Sequence, residues 1–409
     1  MKKIFMTCYG GGHAEIIKEV YKNLVNISDI KIVILALTTS KYKFEQEKIP
    51  YKLITDYYDN EKDKEIYRLG EEFCIKNNVD ISIGKDETYL YHGYALEELS
   101  KKYDKRKIEK GFKKFGRAIF LPVEFMKRVI VSENPDLVIT TNSPRYEKAS
   151  LIISKELNLK TLSIEDQFGI ENSSKDLIDF FQDKIYERIY GDYVCVPSEI
   201  TEKNLGFNKI NKIFITGNPS FDKALEFFMD NNKKEKTKKE KTKKESITLC
   251  YLSQKHPENI LIMKNLIKFT EEKDFNLIVK IHPNEKIEDY LKEIDNKINK
   301  RVEIVSSNLY ENILKSDIVI TISSTAALEA AILGKPIVAK KNVGIPFANL
   351  EIGLEYENID QMEEKINEIL NNIGSINKKL KEARNKFRPK KKAGEQIKEV
   401  VEKILNNEL

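Results

Sequence analysis

The stretch TISSTAALEAAILGKPIVAKK, residues 321–341, reads as the end of one strand, a helix of small residues and a second strand. Three hydroxyl residues, Ser323, Ser324 and Thr325, stand where the helix begins, and Gly334-Lys335-Pro336 precedes the second strand. Both strands are short and continuously apolar, which is typical of a parallel sheet that is buried on both faces. This unit therefore predicts strands that alternate with crossover helices.

The same alternation recurs along the whole chain. The predicted strands are Lys3–Cys8, Lys31–Leu37, Leu137–Thr141, Lys160–Ile164, Tyr193–Val196, Ile213–Thr216, Ile247–Leu252, Phe275–Ile281, Val302–Val305, Ile318–Ile322 and Ile337–Ala339. Helical patterns such as Ala14–Asn26 and Glu311–Lys315 lie between them. The order predicts an α/β fold with two Rossmann-like, doubly wound parallel-sheet domains. Ligands bind such sheets beyond the carboxyl ends of the strands.

A low-complexity run divides the chain near its middle. Lys233 to Glu245 holds eight lysines and three glutamates, and Glu-Lys-Thr-Lys-Lys occurs there twice. The run has no apolar residue, so it cannot bury surface against a core, and we interpret it as a solvated linker. The predicted divisions are an N-terminal domain at 1–229, the linker at 230–246, a second domain at 247–390 and a C-terminal helix at 391–409.

Composition narrows the class of protein. The chain has 409 residues, of which 41% are hydrophobic and 33% charged, and no apolar run approaches the roughly 20 residues of a membrane span. Its four scattered cysteines form no CxxC pair, which favours a reducing, cytoplasmic location. The lysine-rich run accounts for the whole net charge of +5. A nucleic-acid-binding protein is expected to carry its excess charge on a folded face, so the sequence argues against such a partner.

A second basic stretch, residues 101–117, has nine basic and two acidic residues. Tyr103, Phe112 and Phe115 interleave with the charges. A basic amphipathic helix of this kind can lie on an anionic membrane, which would place the protein peripherally on the inner face of the plasma membrane. The alternative is a solvated helix whose aromatic residues turn into the domain.

The first loop, CYGGGHAEI, follows the first strand. Its glycines, Gly11 and Gly12 among them, let the backbone approach a phosphate or a sugar, and His13 stands where a helix begins. We predict that Gly11 and Gly12 contact the nucleotide and that His13 is a catalytic candidate. A tight turn without a ligand is the alternative.

Two further loops of the first half carry polar residues. In ITTNSPRYEKA, Asn142 and Arg145 follow a strand and are predicted to bind the acceptor, with capping and surface charge as the alternative. In LSIEDQFGIEN, Glu165 and Asp166 end a buried strand, where alternation directs the two side chains to opposite sides. One of these acids can deprotonate an acceptor hydroxyl, and an N-cap or turn role is the alternative.

Two loops of the second half contain His-Pro. YLSQKHPEN includes Gln254 and Lys255, and VKIHPNE includes His282 and Pro283, and we predict that these four residues contact the nucleotide. A histidine at a helix start can donate to a phosphate oxygen or an oxyanion, so His282 is also a catalytic candidate. No third ligand has zinc spacing, and no metal is expected.

The opening stretch supplies the strongest candidate site. A helix N-terminus presents unsatisfied amides, and the hydroxyls of Ser323, Ser324 and Thr325 add donors at the same place. Together these groups form a phosphate cradle that needs no metal. Glu329 follows one to two turns later, where it can accept hydrogen bonds from a ribose diol. The alternative is an N-cap serine followed by a solvent-facing glutamate.

The blocks GGGH, TGNPSFD, KIHPNE and SSTAALEAAILGKPIV, in this order, resemble the GT-B glycosyltransferase superfamily and its relatives, the UDP-N-acetylglucosamine 2-epimerases. The last block is similar to the nucleotide-binding helix of lipid A disaccharide synthase and of capsule and teichoic-acid transferases. His282-Pro283 and the serines from Ser323 resemble motifs with which bacterial sialyltransferases hold a cytidine nucleotide. Glu165-Asp166 resembles, more loosely, the paired acids of the same enzymes, one of which serves as base.

The resemblance implies two domains that face each other across a cleft, with the donor nucleotide on the second domain and the acceptor on the first. It implies a metal-independent transferase without cofactor, and the sequence has no Asp-x-Asp triplet. The donor would be CMP- or UDP-linked, with a nonulosonic acid among the candidate sugars. The acceptor would be a surface glycan such as capsule or lipopolysaccharide, or a lipid-linked one. The C-terminal helix would cross back to the first domain.

An epimerase or hydrolase that acts on UDP-N-acetylglucosamine is the first alternative. Those enzymes have His-Arg after the first strand of the second domain, where this sequence has Gln254-Lys255-His256. Their SGGxxEE is replaced by SSTAALEA, which keeps one acid, Glu329. Both differences favour the transferase, in which His13 or Asp166 would be the base. A two-domain sugar- or nucleotide-binding protein without activity is the second alternative.

Overall fold

The structure of the chain is a computed structural model that describes residues 1–141, 145–168, 174–206, 212–237, 246–282, 285–294, 300–341, 344–372 and 374–409. The strands are β1 (Lys2–Cys8), β2 (Ile30–Ala36), β3 (Leu137–Thr141), β4 (Lys160–Ile164), β5 (Tyr193–Val196), β6 (Lys212–Ile215), β7 (Thr248–Leu252), β8 (Asn276–Lys280), β9 (Val302–Val305), β10 (Ile318–Thr321), β11 (Ile337–Lys340) and β12 (Gly353–Tyr356).

The α-helices are α1 (Gly12–Leu24), α2 (Ser40–Gln46), α3 (Lys64–Lys76), α4 (Lys85–Lys102), α5 (Lys105–Phe115), α6 (Val123–Glu133), α7 (Tyr146–Glu156), α8 (Ser174–Phe181), α9 (Glu199–Gly206), α10 (Asp222–Thr237), α11 (Asn259–Lys273), α12 (Ile287–Glu293), α13 (Leu309–Lys315), α14 (Ala326–Ile332), α15 (Ile359–Asn371), α16 (Ser375–Phe387) and α17 (Ala393–Leu405). Short 3₁₀ helices lie at Ile54–Tyr57, Gly116–Ile119, Lys184–Tyr186 and Pro219–Phe221.

Within the described residues the strands form two six-stranded parallel sheets. Their orders are β2-β1-β3-β4-β5-β6 and β12-β11-β10-β7-β8-β9. The prediction of an α/β fold with two doubly wound parallel-sheet domains is confirmed, and each of the eleven predicted strands overlaps an observed one. The edge strand β12 was not predicted, because it has no continuous apolar run. It begins with Gly353 and includes Glu355.

The first sheet is buried on both faces, as its apolar strands predict. Ile4 and Met6 of β1 pack with the apolar sides of α1 and α17. Phe5 of the same strand points to the opposite face, into a cluster built largely from α4, α6 and α7. Since β1 pairs in parallel with β3, and β3 with β4, the polar residues that follow these three strands meet at one edge of the sheet.

The chain divides into two compact units, residues 1–220 with 391–409 and residues 221–390. The predicted end of the first domain, residue 229, falls inside α10, and this helix belongs to the second unit. The first part of the predicted linker is therefore helical. Ala224 and Leu225 of α10 are buried, a packing that the neighbouring lysine-rich run concealed in the sequence. The rest of that run, 238–245, lies outside the described residues.

None of the helices in the described ranges combines the length and the apolar character that crossing a lipid bilayer requires.

Candidate functional site

Three strands of the first sheet carry polar residues to one edge. His13 lies in the first turn of α1 after β1, Glu147 in the first turn of α7 after β3, and Asp166 two residues beyond β4. The imidazole Nε2 of His13 is 3.3 Å from Oδ2 of Asp166, and Nδ1 is 3.6 Å from Oε1 of Glu147. A single imidazole therefore lies between two carboxylates from two other strands.

Thr141, the last residue of β3, completes this cluster. Its hydroxyl donates to Oε2 of Glu147 at 2.5 Å and contacts Nδ1 of His13. An imidazole that carries both ring protons matches this geometry, because Nδ1–H then donates to Thr141 and Nε2–H to Asp166. We call His13, Thr141, Glu147 and Asp166 the histidine cluster.

The cluster is closed on one side and open on the other. The side chain of Glu147 has no exposed surface, whereas those of His13 and Asp166 are 22% and 21% exposed. A ligand can therefore reach His13 and Asp166 but not Glu147. Glu147 is a partner that fixes the imidazole from behind.

Electrostatics keep His13 charged at neutral pH. Burial disfavours the imidazolium, but its interactions with the carboxylates of Asp166 and Glu147 outweigh burial and raise the pKa of His13 to about 10. Burial likewise disfavours the Asp166 carboxylate, but its hydrogen bond to His13 and the charge of that ring hold the pKa of Asp166 below its usual value. At neutral pH His13 is thus a proton donor, and Asp166 is the accessible proton acceptor.

The two adjacent acids that end β4 have different surroundings. Glu165 is buried, its Oε2 lies 2.7 Å from a guanidinium nitrogen of Arg188, and its Oε1 accepts the backbone N–H of Gln167. Asp166 turns to the other side and contacts His13. Alternation along the strand end thus directs one acid to the histidine cluster and the other into a buried ion pair, as the sequence predicted in general terms.

The glycine loop leaves open space beside the backbone. Apart from chain neighbours and the backbone of α1 itself, no described atom lies within 4 Å of a Cβ built on Gly11 or Gly12, and Gly11 has a φ of +70° that disfavours other residues. A side chain at Gly10 would instead overlap Thr39. This geometry leaves room for a ligand next to His13.

Arg145 lies on an anchored aromatic side chain. Its guanidinium carbon is 3.9 Å from the centre of the Tyr9 ring, and the Tyr9 hydroxyl lies 3.2 Å from that of Tyr91. Arg145 has a φ of 78° and immediately precedes α7. Asn142, the other residue predicted to bind the acceptor, lies outside the described residues.

The second unit gathers its predicted residues at the carboxyl edge of its own sheet. His282, beyond β8, is exposed, and its backbone N–H donates to Glu285 at 2.9 Å and to Ser253 at 3.2 Å. The Ser253 hydroxyl donates to Glu285 at 2.7 Å. These bonds tie the ends of β7 and β8 together and fix the backbone of His282. Pro283 lies outside the described residues.

The predicted phosphate cradle lies beside the same two strand ends. The side-chain oxygen of Gln254 accepts the N–H of Ser323 at 2.9 Å, and Ser324 donates its N–H to Thr321 at 3.1 Å. The Oγ atoms of Ser323 and Ser324 each accept a hydrogen bond from a backbone N–H. Within the described residues, neither hydroxyl donates its own proton to an acceptor. Both serines thus retain an O–H donor for a ligand.

The other residues of the cradle differ in exposure. Thr325 and Lys255 are exposed, while Glu329 on α14 is half-buried. Glu329 accepts the hydroxyl of Tyr310 at 2.7 Å, and that ring packs against Phe227 at 5.3 Å between centroids. Tyr310 therefore orients the Glu329 carboxylate.

Sequence reasoning missed four residues of these two sites: Thr141, Glu147, Arg188 and Tyr310. Glu147 and Thr141 stand inside the quoted loop ITTNSPRYEKA, but an acid in a first helical turn reads as ordinary dipole complementarity. No group of three or more metal-ligating side chains occurs among the described residues.

Comparisons with known proteins place the chain among nucleotide-sugar enzymes. The sequence model of the UDP-N-acetylglucosamine 2-epimerase family matches residues 188–402. A search of curated proteins found no match.

Solved structures with the same fold include both epimerases and a glycosyltransferase. The Staphylococcus aureus MnaA–UDP complex has 14% identity and a TM-score of 0.62, covering 99% of this chain and 97% of that one. The Neisseria meningitidis UDP-GlcNAc 2-epimerase bound to UDP-GlcNAc has 12% identity, a TM-score of 0.61 and coverage of 99% and 100%. A Rickettsia africae glycosyltransferase has 15% identity, a TM-score of 0.55 and coverage of 100% and 99%. Identities this low show the shared fold alone.

Proposed function

Because this chain belongs to the UDP-N-acetylglucosamine 2-epimerase family, we propose that it cleaves the bond between a sugar and the phosphate of a nucleotide-sugar. We further propose that it transfers the sugar to a hydroxyl of a surface glycan or a lipid-linked acceptor. The observation that carries the proposal is the histidine cluster, where an accessible carboxylate is held against a charged imidazole. The donor would be UDP- or CMP-linked.

Asp166 would accept the proton of the attacking hydroxyl. The acceptor oxygen forms a bond to the anomeric carbon of the sugar as the bond from that carbon to the phosphate oxygen breaks, and the leaving phosphate takes the electron pair. Asp166 is a weak base because His13 stabilises its charge, so the proton moves late, when the new bond has made the hydroxyl acidic. His13 remains protonated, and its positive charge stabilises the negative charge close to the reacting oxygen.

The second unit would hold the nucleotide. The hydroxyls of Ser323, Ser324 and Thr325 and the side chain of His282 would donate to the phosphate as its charge develops, with Gln254 and Lys255 beside them. Glu329, oriented by Tyr310, would accept the ribose hydroxyls. These donors would take the leaving charge without a metal ion. Replacing Ser324 by Ala and His282 by Gln should weaken nucleotide binding without unfolding the chain.

Epimerisation at C2 is the second candidate, and the family match favours it. In that reaction a base removes the C2 proton while the bond from C1 to the phosphate oxygen breaks, so that a C1–C2 double bond forms and the nucleotide takes the leaving electron pair. Addition of a solvent-derived proton to C2 and of the phosphate to C1 then restores the nucleotide-sugar. The histidine cluster supplies an acceptor and a donor for such a step. The differences from the epimerase motifs at Gln254-Lys255-His256 and at SSTAALEA favour transfer.

Incubation in deuterated water separates the two candidates. The protein is mixed with UDP-N-acetylglucosamine or a CMP-linked sugar, with and without an acceptor panel, and products are followed by NMR and mass spectrometry. Transfer predicts nucleotide release that depends on acceptor, with no deuterium at C2. Epimerisation predicts deuterium at C2 without acceptor, and nucleotide binding without turnover would contradict both reactions.

The residue assignment has a matched control within the first unit. Asp166→Asn should lower turnover about 100-fold or more, as expected when a positioned base is lost. Asp179→Asn makes the same chemical change at an exposed position of α8 and should leave turnover unchanged. Equal rates for the two variants would remove Asp166 from the reaction.

A further inference from the structure

Helix α5 packs its apolar side against other elements of the first unit. The ring of Phe112 lies 4.8 Å from that of Phe73. A Cβ on Gly111 would come within 2.6 Å of the Phe181 ring, so the helix sits as close to that ring as glycine allows. The interleaved aromatic residues of the basic stretch therefore turn inward and are not available for insertion into a bilayer.

The outward side of α5 is almost uniformly basic. Its exposed cations are Lys105, Arg106, Lys110, Lys113 and Lys114. Glu109, which shares this side, forms an ion pair with Lys76 of α3 at 2.6 Å. Within the described ranges none of the five cations forms an ion pair with a carboxylate. We call these five residues the basic face.

The charges of the basic face do not stabilise the fold. Like charges three and four residues apart on a helix repel one another, and their heads contribute nothing to the apolar core. Outside the lysine-rich run at 233–245 the chain as a whole is neutral, so the charge here is a local concentration. A row of like charges that repel one another, and that no carboxylate of the described ranges neutralises, is expected to meet an external anion.

We propose that the basic face of α5 binds an anionic membrane surface. The five cations lie along about 14 Å of helix, a spread-out array that fits more than one lipid headgroup at once. Single-stranded nucleic acid is a poorer fit, because the aromatic side chains that would stack on its bases are packed inside. This contact is independent of the reaction proposed above and would bring the enzyme to a membrane.

Vesicle binding tests the proposal with the full-length protein. Sedimentation with vesicles of 70% phosphatidylcholine and 30% phosphatidylglycerol should retain the wild type at low salt, and vesicles of pure phosphatidylcholine should not. Each basic residue near an anionic surface contributes about fivefold in affinity. Lys110→Gln combined with Lys113→Gln should therefore weaken binding roughly 25-fold, with an unchanged thermal unfolding curve.

A second pair of substitutions controls for net charge. Lys378→Gln combined with Lys379→Gln removes two exposed charges from α16 and should leave vesicle binding unchanged. The proposal is overturned if the wild type does not bind phosphatidylglycerol vesicles, or if both double variants lose binding equally. Retention on heparin that depends on Lys110 and Lys113, without vesicle binding, would also overturn it and would identify a soluble polyanion as the ligand.

Discussion

A single imidazole, that of His13, lies between two carboxylates, and its protonation depends on both. Its pKa of about 10 in the folded chain lies above the ordinary value of 6.5, so the cluster stabilises the fold most where His13 is protonated. This contribution is fully present below about pH 6.5 and is lost as the pH rises through about 10. Urea denaturation should show the advantage of wild type over His13→Gln at pH 6.5 and its decline by pH 10.

Proton NMR of the imidazole checks the same residue directly. In Asp166→Asn the titration midpoint of His13 should fall, because one of the two groups that raise its pKa is neutral. In Asp179→Asn it should stay at the wild-type value. A wild-type midpoint near 6.5 would contradict the charged state that we assign to His13.

The two neighbouring acids should respond in opposite ways to substitution. Glu165→Ala leaves Arg188 without its buried carboxylate, which typically costs about 3 kcal/mol in the free energy of unfolding. Asp166→Asn should change that free energy less and turnover more. Parallel urea denaturation and activity measurements on the two variants decide this, and equal losses of stability would argue against the buried ion pair.

These residues also show what the sequence could and could not predict. Alternation at the end of β4 predicted that the side chains of Glu165 and Asp166 point in opposite directions, because neighbouring side chains of an extended chain do so. It did not say which acid meets a ligand, since the partners that decide this, His13 and Arg188, are distant in sequence. The histidine cluster forms because β1, β3 and β4 are neighbours in the sheet, and no local sequence pattern predicts that strand order.

Among the elements, α3 and α4 pack at backbone distance through glycine. A methyl group at Gly93 of α4 would overlap the carbonyl oxygen of Ile66 in α3, and a backbone carbonyl cannot turn away. Gly93→Ala should therefore destabilise the chain by about 1–3 kcal/mol, although alanine favours helix. Thermal unfolding measures this loss.

Gly374, which precedes α16, is the matched control. No described atom lies within 4 Å of a Cβ built there, so Gly374→Ala should shift the melting temperature little. Similar shifts for the two variants would mean that helix propensity, and not the close approach of α3 and α4, decides the effect at Gly93.

Element prediction succeeded where burial was uniform and failed at edges and junctions. Strands such as β3 and β10 are buried along their whole length and were predicted as continuous apolar runs. The edge strand β12 is only partly buried, and α10 runs into a lysine-rich segment. In both, the local composition resembles solvated chain, and only contacts with the second sheet or with α14 reveal the structure.

At the scale of the whole molecule, the first unit is completed by the last helix in the sequence. Ile397, Val401 and Ile404 of α17 are fully buried in the cluster that covers one face of the first sheet. Each such side chain contributes about 1.5–3 kcal/mol by burial, and domains are stable by only about 5–15 kcal/mol. Deletion of residues 391–409 should therefore unfold the first unit, whereas residues 221–390 keep their own sheet and core.

Limited proteolysis of the deletion variant measures this outcome. Mass spectrometry should find the first unit digested and a resistant fragment close to residues 221–390. Adding residues 391–409 as a synthetic peptide should restore protection of the first unit. Within α17, Ile397→Ala should sensitise the first unit to protease, while Lys403→Ala, at an exposed position of the same helix, should not. A protected first unit in the deletion variant would contradict this prediction. It would show that the remaining core of the first unit is stable without α17.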